Sequence, residues 1–226
     1  MKGEFMGFKA VIFDMDGVLI DTEKWLVKYW CQAAREAGFP MEREHALAIR
    51  SLTGEYADTY LKGIFGEQFS YRTIRERRKE LMNQHLKEHG IEKKPGAEEV
   101  LDYLHGKGMK TAVATATDPE RAKKYLTEIG IYDKFDKVIC ATMVEHGKPE
   151  PDIYLYACEQ IGEKPEDCLA VEDSPNGVRS ASSAGLRTIM VPDLTEPDQE
   201  TASLIFVKLH SLYDIILWME DDDSFK

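Results

Sequence analysis

The sequence predicts an α/β protein: a Rossmann-like, doubly wound parallel sheet with an all-helical cap inserted into it. Three observations carry that prediction. Short, unbroken apolar runs recur along the chain, as strands covered on both faces require. From residue 95 onward these runs alternate with helical patterns. Residues 22–90 break the rhythm, carrying long helical stretches and no convincing strand. The core is therefore placed at residues 1–21 and 91–226 and the cap at residues 22–90.

The first apolar run, Lys9 to Phe13, ends in Asp14. After it come the cap helices, of which Glu23–Ala37 and Tyr71–His89 are the longest patterns. Pro95-Gly96 punctuates the return to the core, and in Ala97–His105 the residues Val100, Leu101 and Leu104 share one face. Lys110 to Thr115 is the second strand. Asp118 and Pro119 supply an N-cap and a first-turn proline, and Gly130 stops that helix. Strands at 137–141, Cys168–Val171 and Leu186–Val191 follow, separated by helices at Asp152–Ile161 and Ser174–Ala184 that end at Gly162 and Gly185. Leu204 to Leu209 reads as an edge strand, and the acidic tail Glu220–Asp223 as a solvated end.

A net charge of -12 on 226 residues repels nucleic acid and anionic lipid, which leaves small phosphorylated metabolites as the phosphate-bearing partners to consider. Cys31, Cys140, Cys158 and Cys168 have neither CxxC spacing nor a histidine cluster, so they read as buried free thiols rather than a zinc site or a disulfide framework. The first apolar run breaks at Asp14, too early for a signal peptide, and no run approaches the roughly 18 apolar residues of a membrane span. The reading is a cytoplasmic protein, monomeric or weakly dimeric.

Four constellations carry chemistry. In Asp14-Met15-Asp16-Gly17-Val18-Leu19, two carboxylates stand two apart at the carboxyl end of a buried strand, the edge at which open α/β sheets bind ligands. If Gly17 permits a tight turn, one carboxylate can attack while the other handles protons. Thr115 ends the second strand, with Thr117 and Asp118 beyond it. These can hold a phosphate oxygen, or cap the next helix. Lys148, held between Gly147 and Pro149, is either a fixed ammonium beside a phosphate or a surface lysine in a proline-rich loop. Glu172 and Asp173 end another buried strand, and hard oxygen ligands of this kind suit Mg²⁺. Asp173 or Ser174 can also cap the helix that follows.

With these four motifs in this order and spacing, the chain resembles the haloacid dehalogenase superfamily, in the branch with a helical cap after the first motif. Within that branch it is similar to phosphatases and β-phosphoglucomutases. The stretch Glu172–Gly177, with Ala184-Gly185 and Val191-Pro192-Asp193, also resembles pseudouridine-5′-phosphatase-like members. The resemblance implies a phosphohydrolase with an aspartyl-phosphate on Asp14, and Asp16 as the acid and then the base. Thr115 and Lys148 would bind the phosphoryl group. Mg²⁺ would sit on the Asp14 carboxylate, the Asp16 backbone carbonyl and Asp173, with Glu172 binding directly or through water.

The alternative is a β-phosphoglucomutase-type phosphohexomutase. Resembling mutases carry a histidine four positions after the Asp-Thr threonine, where this chain has Leu26. They also carry a Lys-Gly-Val-Ser-Arg cap loop, whose nearest equivalent here, Ser51-Leu52-Thr53-Gly54-Glu55, lacks the arginine. Both departures favour the phosphatase. Glu23, Arg50, Thr53 and Arg77 are the cap residues that could select the substrate. Arg72, Arg75, Arg78 and Lys79 share a helix with Glu76 and Glu80 and read as a solvated mixed-charge face.

Overall fold

The apolar runs become six parallel strands, and the segments between them are helical. The computed structural model describes residues 7–221, so Asp222 and Asp223 of the acidic tail lie outside the described residues. In chain order the elements are β1 (Ala10–Phe13), α1 (Glu23–Glu36), α2 (Arg43–Ala48), α3 (Gly54–Phe65), α4 (Tyr71–His89), α5 (Ala97–Gly106), β2 (Lys110–Thr115), α6 (Pro119–Glu128), β3 (Lys137–Cys140), α7 (Asp152–Ile161), β4 (Cys168–Glu172), α8 (Pro175–Ser183), β5 (Arg187–Met190), α9 (Gln199–Leu204), β6 (Ile205–Lys208) and α10 (Leu212–Asp221).

The sheet order is β3-β2-β1-β4-β5-β6, the doubly wound arrangement in which the winding direction reverses between β1 and β4. The strands are apolar throughout because both faces are covered. Val11 and Phe13 of β1 pack with α5, α6 and α10, through Val100, Leu101, Ala122, Leu126 and Ile215. Ala10 and Ile12 pack the other way, against Ile153, Ala157 and Cys158 of α7 and Ala181 of α8. Cys31, Cys140, Cys158 and Cys168 are buried free thiols. No helix among the described residues is long and apolar enough to cross a membrane.

Helices α1 to α4 intervene between β1 and β2 and bury a cluster of their own, built on Val27, Trp30, Met41, Leu61, Phe69 and Ile74. That cluster makes the inserted segment a helical cap, not a long loop. Several boundaries differ from the sequence reading. The third strand stops at Cys140 because Ala141 enters a short 3-10 turn. The last strand is Ile205–Lys208 and, among the described residues, pairs only with β5, so it is the sheet edge. Helix α10 was not assigned from sequence. Leu212, Ile215 and Met219 dock its apolar face against α5 and the sheet.

Helix ends settle which residues cap and which are free. Asp118 Oδ1 accepts from the Arg121 amide at 3.1 Å and so caps α6, which leaves the Thr117 hydroxyl for other use. Ser174 Oγ accepts from the Gly177 amide at 3.2 Å and caps α8, which leaves the Asp173 carboxylate free of capping.

Candidate active site

Asp14 follows β1, Thr115 ends β2, Glu172 ends β4 and Asp173 comes next. Phe13 is level with Val113 on one neighbour and Val171 on the other, so these side chains meet at one rim, at the switch point. A loop between β3 and α7 adds Lys148. Its ammonium is 1% exposed and donates to Asp14 Oδ1 and to Glu172 Oε1, each at 2.6 Å. It is therefore not a surface lysine. The Tyr154 hydroxyl, from α7, donates to the same Glu172 oxygen at 2.5 Å.

Asp16 is held differently. Its Oδ1 accepts from Thr22 Oγ1 at 2.5 Å and its Oδ2 from Thr117 Oγ1 at 3.0 Å. Two hydroxyls, one from the residue preceding α1 and one from the loop between β2 and α6, thus fix this carboxylate beside Asp14. The turn that brings Asp16 back over the strand end depends on Gly17, at φ +85°, where a Cβ would also overlap the Asp173 carboxylate. Thr115 is buried, and its Oγ1 accepts from the Thr117 amide at 3.1 Å.

Burial raises the Asp14 carboxyl to about 7. Lys148 opposes that shift, and Glu172 adds to it. Burial also lifts Asp173 well above the usual carboxylate range, against the pull of Arg50. Burial works to lower the Lys148 pKa, but Asp14 and Glu172 outweigh it and hold the ammonium above its ordinary value. Asp14, Glu172 and Asp173 share Lys148 and Arg50, two cations for three buried acids. Asp14, Glu172 and Asp173 each bring an oxygen within 4.8 Å of the others. Glu172 Oε2 and Asp173 Oδ1 are buried with no hydrogen-bond partner among the described residues. Orphaned carboxylate oxygens converging in this way fit a small, hard divalent cation. The Asp16 carboxylate is not part of this convergence, because Thr22 and Thr117 occupy it.

A cavity of about 340 Å³ opens between this rim and the cap. That volume lies within the range of small-molecule pockets. Glu23, Arg50 and Thr53 line it. Glu23 is buried and raised to about 8 by that burial, with Arg50 opposing. Arg50 Nη1 donates to Asp173 Oδ2 at 2.9 Å and Nη2 to Thr195 Oγ1 at 2.5 Å, tying the cap to the core. The Thr53 amide donates to the Lys148 carbonyl at 3.3 Å, and Gly147 lies so close that a Cβ there would overlap the Thr53 methyl.

Arg77 does not belong with them. It is exposed and donates to Glu36 Oε2 of α1 at 2.7 Å and to Glu80 Oε2 at 2.9 Å, outside the cavity. The reason is helical phase. Tyr71, Arg75, Arg78 and Met82 recur every three to four residues and form the stripe of α4 that lines the cavity, and Arg77 falls off that stripe. The solvated reading of this helix thus fails for Arg75 and Arg78. It holds for Arg72, which is exposed, and for Lys79, which pairs with Glu76 at 3.0 Å. Apolar Tyr71 and Met82 in phase with two arginines was the sequence signal that could have found them. Tyr154 offered no such signal, since it reads as one more core position of α7.

Acids and a lysine at the switch point of a doubly wound sheet, facing a cavity roofed by inserted helices, define a Rossmann-like α/β enzyme fold with a helical cap over its site. More closely, the chain belongs to the haloacid dehalogenase-like hydrolases, whose family model matches residues 8–185. It is 34% identical over 193 residues to a phosphorylated carbohydrates phosphatase of Thermotoga maritima, covering 80% of this chain and 83% of that one. It is 28% identical over 191 residues to a β-phosphoglucomutase of Bacillus subtilis, covering 81% and 83%. Among solved structures, CbbY from Rhodobacter sphaeroides in complex with phosphate superposes with a TM-score of 0.76 at 27% identity, covering 92% of this chain and 96% of that chain.

Proposed function

We propose that this protein is a cytoplasmic, magnesium-dependent phosphatase of small phosphorylated metabolites, sugar or nucleoside monophosphates, working through an aspartyl-phosphate on Asp14. The observation that carries the reading is the pairing at the rim. Asp14 is fixed by Lys148, and beside it Asp16 is fixed by two hydroxyls. An Asp14 oxygen attacks phosphorus as the ester P–O bond breaks, and Asp16 gives its proton to the departing alkoxide. Water then attacks phospho-Asp14, Asp16 takes the proton from that water, and inorganic phosphate leaves. Lys148 and Thr115 bind the phosphoryl oxygens, and the ammonium offsets charge on the transferring group. Asp14, Asp173 and the Asp16 backbone carbonyl, with Glu172 directly or through water, would hold a magnesium ion, which would supply further charge neutralisation at the same place.

The phosphatase is preferred to a phosphohexomutase because of what faces the cavity from the cap. Leu26 lines it and can neither donate nor accept a hydrogen bond. The loop 51–55 lines it without an arginine, and neighbouring Arg50 is committed to Asp173 and Thr195. Neither position offers a hydrogen bond that would fix a sugar hydroxyl against the phospho-enzyme, so water takes the phosphoryl group. Inorganic phosphate from a panel of sugar and nucleoside monophosphates is expected to outpace glucose 6-phosphate from β-glucose 1-phosphate supplied with glucose 1,6-bisphosphate. Faster isomerisation than phosphate release would transfer the assignment to the mutase.

Metal removal has a pH-dependent signature. Asp14, Glu23 and Asp173 all have folded pKa values raised above the unfolded ones, so the folded chain holds protons the unfolded chain has lost. That contribution is fully present below about pH 4, and it is lost as pH rises through about 7 to 8. Chelated protein is therefore expected to melt at a lower temperature at pH 8 than at pH 5.5. Magnesium competes with the same protons, so its stabilising increment is larger at pH 8. Thermal melts in EDTA and in MgCl₂ at both values check this. An increment as large at pH 5.5 as at pH 8 would count against a metal on these acids.

A further inference from the structure

The charges on the cap side of the cavity are unbalanced. Arg78 of α4 is buried at 8% exposure, and its Nε has no hydrogen-bond partner among the described residues. Its guanidinium lies over the Trp30 ring, whose centroid is 5.2 Å away, and it forms no ion pair among the described residues. Arg75, one turn earlier on the same stripe, has neither an ion pair nor a hydrogen bond among the described residues. Arg121 enters from the core side, on α6, and lines the same cavity. Its nearest acid is Asp118, at a loose 4.0 Å. Burial, then the charges of Arg75 and Arg121, push Arg78 down to about 10.

Asp16 offsets part of that shift from a distance, but no carboxylate pairs with the guanidinium among the described residues, and burying it next to two like charges is costly for the free protein. Solvation or packing alone does not explain three arginines converging from two structural units. A ligand anion does, since a guanidinium fork matches the oxygens of a phosphate or carboxylate. The stripe places two of these forks on the cap and one on the core, so an anion held among them also ties the two together.

Resting on the phosphatase reading above, we propose that Arg75, Arg78 and Arg121 form a second anion subsite. The preferred substrates are then phosphate esters carrying a further phosphate or carboxylate, in addition to the group transferred to Asp14. The test compares phosphate release in magnesium from esters with neutral tails, glycerol 3-phosphate and glucose 6-phosphate, and from esters with anionic tails, 3-phosphoglycerate, 6-phosphogluconate and glucose 1,6-bisphosphate. At least one anionic-tail ester is expected to exceed its neutral counterpart in kcat/KM by about ten- to a hundredfold, the worth of a charged hydrogen bond or two. The carboxylate and bisphosphate arms distinguish which anion is held.

Arg78→Gln is expected to bring that ratio close to one. Arg75→Gln, at a half-buried position with no partner to lose, is expected to lower it in the same direction if Arg78→Gln folds poorly. Equal or better turnover of the neutral esters by the unaltered enzyme would overturn the subsite, as would an undiminished ratio in Arg75→Gln. Failure to hydrolyse any ester, p-nitrophenyl phosphate included, would instead overturn the phosphatase reading on which it rests.

Discussion

Asp14→Asn is expected to abolish turnover while leaving the protein folded. The amide fills the volume of the carboxylate but cannot form the acyl phosphate, so the first chemical step is lost rather than slowed. Removal of a nucleophile that acts with its partners as one unit costs about 10⁴- to 10⁶-fold in kcat. Stability should not fall in parallel. Asp14 is a buried acid raised to about 7 mainly by desolvation, and a neutral amide relieves that penalty at pH 8 even as it weakens the contact to Lys148. The measurement pairs turnover of p-nitrophenyl phosphate in magnesium with a thermal melt of the metal-free protein. A folded variant retaining a rate within about a hundredfold of the unaltered enzyme would show that Asp14 only positions other groups.

Asp14 was readable from sequence for a physical reason. A strand covered on both faces has no polar residues to spare, so the first acid after Phe13 marks both the strand end and the ligand edge of the sheet. The same logic exposed Thr115, Glu172 and Asp173, because each terminates an apolar run at a level that parallel register then aligns. What was not readable depends on packing between distant segments. Nothing in the chain shows that Arg50 would reach Asp173 across 123 positions, or that Tyr154 would turn its hydroxyl to Glu172. On α4 the failure was one of phase. Charges of both signs along the helix suggest solvent everywhere, yet Arg75 and Arg78 share the face of Tyr71 and Met82, and Arg77 lies beside them in sequence but not in space. Cap residues are therefore poorly indexed by composition, whereas core residues are indexed by where strands stop.

Lys148→Met carries the second large effect, and it acts on stability and rate together. Lys148 is fully enclosed and is the one cation hydrogen-bonded to both Asp14 and Glu172 among the described residues. Methionine keeps much of the aliphatic stem and removes the charge. Two carboxylates then face each other, with Asp173 close by, and no ammonium between them. Breaking a buried ion pair by removing one partner costs about 3–5 kcal/mol, most of it from the charge left uncompensated. The metal-free variant should therefore melt well below the unaltered protein at pH 8. It should recover part of the difference at pH 5.5, where Asp14 and Asp173 can protonate, and part in magnesium, where a cation would replace the missing charge. Activity should not recover in step, because the phosphoryl oxygens have lost a fixed donor, a loss on the order of 10²- to 10³-fold in kcat. The double variant Lys148→Met/Glu172→Gln separates charge from packing. Removing one of the stranded acids should restore stability towards that of the single Glu172→Gln variant while turnover stays low. If Lys148→Met proves as stable as the unaltered protein in EDTA at pH 8, the lysine is not what holds these acids together, and the charge deficit assigned to the rim is wrong.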